Sequence, residues 1–171
     1  MRQKSFNIVL IGMPGSGKSS VGKILAESLD MDFCDVDEYI EKSEGKSIKE
    51  IFEQGEGHFR AIESAAIAKL SQKKNTVIAT GGGVILCSQN MVNLKQNGII
   101  FFINRPIDQI VRDIDISIRP LLAKDINRIY KLYNERYQLY KKYSDFEIQS
   151  PSGIADTARQ IIEILEEQDL L

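Results

Sequence analysis

Residues 12–19 read GMPGSGKS and follow directly on the apolar run FNIVLI. In a GxxxxGK[ST] pattern the glycines let backbone N–H groups converge on phosphate oxygens, the lysine reaches the outer phosphates, and the hydroxyl ligates Mg²⁺. Gly12, Gly17, Lys18 and Ser19 fill those positions. The context agrees, with a strand-like run before the loop and helical spacing after it, where Val21, Ile24, Leu25 and Leu29 mark one face. The alternative is a glycine-rich turn without a ligand. The reading predicts that Lys18 serves the transferring phosphoryl group and that the loop backbone does not need it.

Such a cradle also calls for a carboxylate at a strand end, on the metal's water shell. TVIAT runs into GGG and IIFFI into Asn104, whereas FCDVD ends in Asp35 and Asp37. Two residues apart on a strand, these side chains share one face. Asp35 is assigned to the metal beside Ser19, and Asp37 to accepting a proton from, or orienting, an attacking hydroxyl. The alternative is that both acids are solvated or cap the helix EYIEKS.

The acceptor side is marked by three further signals. Gly81, Gly82 and Gly83 follow an apolar strand at its carboxyl end, where open α/β sheets bind ligands and bare backbone permits close approach. Phe59, Ile62, Ala66, Ile67 and Leu70 form an apolar arc, with Arg60 and Glu63 on or beside it, so that Glu63 can hold the Arg60 guanidinium for a ligand. Between 125 and 143, Ile126, Ile129, Tyr130, Tyr133, Tyr137 and Tyr140 make a stripe that carries Arg136. An intrahelical ion pair and a snorkelling arginine are the plainer alternatives. Two inward arginines otherwise point to an acceptor with its own carboxylate, which a planar guanidinium matches bidentately.

These residues need a scaffold that brings strand ends together. Short apolar runs alternate with helical-period segments, which predicts an α/β fold of three layers around a parallel sheet of about five strands. The strands are FNIVLIG, FCDVD, TVIAT, IIFFI and FEIQ. Helices are expected behind the phosphate loop and near 48–54, 56–72, 88–96, 106–114, 125–143 and 153–168. Residues 112–124, interrupted by Pro120 and carrying Arg119, fit neither period and are expected to act as a lid. The length of 171 residues suits one domain spanning 1–171, and 43% hydrophobic with 27% charged residues is the composition of a folded globular chain.

The formal net charge of −2 and scattered basic residues offer no attraction to nucleic acid or anionic membrane, so an anion must be caught by individual arginines. No run approaches a membrane span of about 20 residues. A cytosolic monomer is expected. Cys34, Cys87 and the single histidine, His58, leave no basis for a zinc site or a Ser-His-Asp triad.

As a set, GMPGSGKS, FCDVDEYIE, IFEQGEGHFRAIES, ATGGGV, RPLL and NERYQLY resemble the shikimate kinase family over almost the whole chain. The resemblance implies ATP-dependent phosphorylation of the 3-hydroxyl of shikimate, on a five-stranded parallel sheet of the nucleoside monophosphate kinase type. It assigns Gly15, Ser16, Gly17, Lys18, Ser19 and Ser20 to ATP, Ser19 to Mg²⁺, and Asp37, Arg60, Gly82 and Arg136 to shikimate, with residues 35–62 as the acceptor-binding helical region. Arg119 would reach the ATP phosphates from the lid and Arg112 would lie near adenine, while the loop SPSG after FEIQ offers no basic side chain. Another small-molecule kinase, for a sugar acid or nucleoside monophosphate, would share the loop and the sheet. A nucleotide switch lacks its DxxG and NKxD tetrapeptides here.

Overall fold

The computed structural model describes residues 6–113 and 126–171. In chain order these form β1 (Asn7–Ile11), α1 (Lys18–Leu29), β2 (Asp32–Asp35), α2 (Val36–Glu44), α3 (Ile48–Phe52), α4 (Glu56–Leu70) and β3 (Thr76–Ala79). A 3₁₀ turn (Val84–Leu86) leads to α5 (Ser88–Asn97), β4 (Gly98–Asn104), α6 (Ile107–Arg112), α7 (Ile126–Tyr143), β5 (Phe146–Gln149) and α8 (Ile154–Glu167). The five strands are parallel, in the order β2-β3-β1-β4-β5.

The apolar runs are continuous because both faces of the sheet are covered. Along β1, Ile8 and Leu10 join a core with Val21 and Leu25 of α1 and Ile161 and Leu165 of α8. Val9 and Ile11 face the other way, onto Ile40 of α2, Ile67 of α4, Leu94 of α5 and Tyr140 of α7. The chain therefore leaves β1 toward one face, through α1, and leaves the adjacent β3 toward the other, through α5. That divergence opens a crevice above the carboxyl ends of the two strands, where ligands of open α/β sheets bind.

The expected strands and helices are found with boundaries shifted by a residue or two, with one instructive exception. The strand expected to run through Asp37 ends at Asp35, and Asp37 lies in the first turn of α2. Asp35 is the N-cap of that helix, its carboxylate accepting hydrogen bonds from the backbone N–H groups of Asp37 and Glu38. An aspartate able to satisfy orphan amides stops the strand and starts the helix. The two acids do not share a strand face, and the capping alternative holds for Asp35.

Candidate active site

Register fixes the floor of the site. Leu10 and Asp35 both lie opposite Ala79, so the phosphate loop, the two acids and the Gly81–Gly83 turn emerge along one edge of the sheet. The loop curls over through left-handed glycines, Gly15 at φ 81° and Gly17 at φ 92°, conformations that strain residues bearing a Cβ. Lys18 is buried, and its ammonium donates to the Gly12 and Met13 carbonyls at 2.8 Å each. The sequence reading left the loop backbone independent of this lysine, whereas two loop carbonyls accept hydrogen bonds from it.

The Ser19 hydroxyl donates to the Asp35 carboxylate, whose other oxygen accepts from Asp37 N at 2.9 Å. Capping thus aims Asp35 at Ser19, giving a pair of hard oxygen donors of the kind Mg²⁺ takes. Among the described residues no three His, Cys, Asp or Glu side chains gather into a cage, so Mg²⁺ at this pair would complete its shell with phosphate and water.

Across the cleft, Arg60 Nη1 donates to Glu63 Oε1 at 2.8 Å and Nη2 lies 3.3 Å from Glu56. Glu63 is only 1% exposed. Among the described residues, one oxygen of Glu63 and one of Asp37 are buried without a hydrogen-bond partner, as is Arg60 Nε. The two carboxylate oxygens stand 3.1 and 3.3 Å from the point a Cβ on Gly81 would occupy, so they face one small volume. Burial pushes both carboxyls upward in pKa. The Asp35 charge adds to the rise at Asp37, and the Arg60 hydrogen bond opposes it at Glu63. Unpartnered buried acceptors beside a guanidinium suit a hydroxylated anion.

Lys18, Ser19, Asp35, Asp37, Arg60 and Glu63 line one cleft of about 560 Å³. Of the residues singled out from sequence, Gly15, Gly17, Lys18, Ser19, Ser20, Asp35, Asp37, Arg60, Gly81, Gly82, Gly83 and Arg136 border it. Ser16 is buried behind the loop, accepting from Lys18 at 3.4 Å. Arg112 is exposed at the end of α6 and does not line the cleft. Arg119 and the lid from 114 to 124 lie outside the described residues.

Sequence reasoning passed over Phe52 and took Phe59 only as part of an apolar arc; their rings stack at 4.3 Å and wall the cleft beside Arg60. It also passed over Arg105, which donates to the Gly15 carbonyl at 3.1 Å and pairs with Asp113. The available signal for Arg105 was its position immediately after β4, at a carboxyl strand end.

A phosphate loop and a pocket holding two arginines and buried carboxylates, in one crevice of a parallel sheet, define a P-loop phosphotransferase of small-molecule type. The shikimate kinase family model matches residues 14–166. A shikimate kinase of Clostridium botulinum is 46% identical over 92% of this chain and 96% of its own length. Among solved structures, the shikimate kinase of Acinetobacter baumannii in complex with shikimate superposes with a TM-score of 0.90 at 34% identity, covering 97% of this chain and 96% of that one. That of Aquifex aeolicus gives 0.85 at 37% identity, covering 96% and 98%. The chain belongs to the shikimate kinase family.

Proposed function

We propose that the chain transfers the γ-phosphoryl group of ATP to the 3-hydroxyl of shikimate. The observation that carries this reading is that Arg60, Arg136 and the Gly81–Gly83 turn border the same cleft as the phosphate loop and Asp37. The acceptor carboxylate would sit on the two guanidinium groups, a charge-assisted contact that fixes the ring and leaves one hydroxyl in line with the donor phosphate. Asp37, its proton affinity raised by burial, would accept the hydroxyl proton or orient that hydroxyl for attack. Lys18 would exchange its loop carbonyls for the outer phosphates, and the loop N–H groups would hold the rest of the chain of phosphates.

Ser19 and Asp35 would hold Mg²⁺, whose contribution is neutralisation of charge on the donor phosphates. Arg119 would arrive with residues 112–124 when both substrates are bound, which excludes water from the transfer. The reading further takes 1–171 as a single kinase domain working as a cytosolic monomer. Among the described residues no helix is long and apolar enough to cross a membrane.

An ADP-release assay across a panel of acceptors tests the proposal. Release should depend on shikimate and fail with nucleoside monophosphates and simple sugar acids. Faster turnover of a nucleoside monophosphate than of shikimate would overturn it.

A further inference from the structure

Among the tyrosines on α7, Tyr140 has no exposure at all. Its ring stacks on Phe102 of β4, with centroids 5.0 Å apart, so the phenol is held from behind by the sheet. Its hydroxyl donates to the Gly82 carbonyl at 2.6 Å and lies 3.9 Å from the Met13 sulfur in the phosphate loop. Arg136 stands one helical turn earlier on the same helix, and its positive charge acts on this phenol. A phenol has one proton to give, and here it goes to the turn after β3.

We propose that Tyr140 is a positioning residue for the acceptor, one whose hydroxyl ties the Gly82 peptide to the helix that carries Arg136. The inference rests on the functional reading above, in which Gly82 and Arg136 contact shikimate. The peptide joining Gly82 to Gly83 is trans, like every peptide bond described, so drawing its carbonyl onto Tyr140 turns the Gly83 N–H away from the buried phenol. The turn is thereby held at a set place relative to Arg136, which borders the same cleft, before any anion arrives. Such restraint lowers the entropy lost on binding and acts on acceptor affinity, whereas the donor phosphates are held by other groups. Burial, the largest influence, pushes the Tyr140 phenol up to about 12, which keeps it protonated and donating through the neutral range.

Tyr140→Phe keeps the ring and its stacking and removes only the keyed oxygen. The expected result is a KM for shikimate raised roughly three- to tenfold, the scale of a lost neutral hydrogen bond, with KM for ATP changed by less than about twofold. A structural role alone would lower Tm while leaving both KM values in place, and that outcome overturns the proposal. The second measurement is the same substitution made in an Arg136→Ala background, where most of the effect should vanish because the guanidinium against which the turn is set is gone. An undiminished effect there would refute the coupling. The wild-type protein assayed alongside separates the two layers. No shikimate-dependent ADP release from wild type removes the functional reading and this proposal with it, whereas normal wild-type turnover with an unchanged Tyr140→Phe removes the proposal alone.

Discussion

Gly83→Ala offers a way to move a catalytic-cleft arginine without mutating it. Gly83 adopts φ −99° and ψ 7°, a region open to alanine, so the substitution carries little backbone strain. A Cβ built there would stand 2.6 Å from Cζ and Nη1 of Arg60, and closer still to Nη2. Carbon contacts settle near 3.5 Å, so the guanidinium must retreat by about 1 Å. It can, because it is the free end of a flexible side chain, but its alignment with Glu63 and with any bound carboxylate is lost. Charge-assisted hydrogen bonds contribute roughly 1.5–3 kcal/mol, which corresponds to roughly a ten- to 150-fold rise in KM for shikimate. The stiffer unfolded chain offsets part of the native-state cost by about 0.4–1 kcal/mol, so Tm should stay within about 4 °C of wild type.

The assay is ADP release with each substrate varied in turn at saturating concentrations of the other. Gly82→Ala supplies the contrast, since its Cβ would lie 2.5 Å from Cδ and 2.8 Å from Cγ of Pro14, a ring that cannot swing aside. That variant should lose ATP affinity as well, through the displaced phosphate loop. A Gly83→Ala enzyme with KM for shikimate within about twofold of wild type, or with both KM values rising together, would refute the steric reasoning.

Asp37→Asn should lower kcat by about two to four powers of ten, the scale of general base catalysis. Because burial raises the Asp37 pKa and the base must be ionised, the acid limb of kcat/KM in the wild type should lie above the ordinary carboxylate range of about 4, and a limb at or below that range would count against Asp37 as the base. Glu63 also titrates high through burial, so its stabilising contribution is complete below its unfolded pKa and is lost as pH rises through its folded pKa. Tm of Glu63→Gln relative to wild type should accordingly improve from acid to neutral pH, and a difference that stays constant with pH contradicts this. Lys18→Ala should abolish turnover and also lower Tm, since the Gly12 and Met13 carbonyls lose their donor; thermal melts with and without ATP check both effects.

The features legible in the sequence are those written within a few residues. The phosphate loop is local because its glycines, lysine and hydroxyl act through the backbone they sit on, and GMPGSGKS sits behind β1 as its spacing requires. The layered sheet was legible because strands covered on both faces are apolar at successive positions, as Ile8 to Ile11 are. The stripe between 125 and 143 correctly carried Arg136 to the cleft. What failed was also local: FCDVD has strand composition through Asp37, but the capping bonds of Asp35 to Asp37 N and Glu38 N turn the chain two residues sooner. Propensity does not price that competition between a strand ladder and a side-chain cap.

The sequence by itself thus determined the phosphate cradle, the alternation of elements and which arginines leave the solvent-facing side of their helices. Only the tertiary structure decided what those arginines meet. Gly83 stands against Arg60, and Gly82 against Pro14 and the phenol of Tyr140, 58 positions along the chain. Those meetings depend on strand order, with β3 beside β1 and α7 packed across the opposite side of the turn. Periodicity reports which face of an element is buried and carries no record of which distant element covers it.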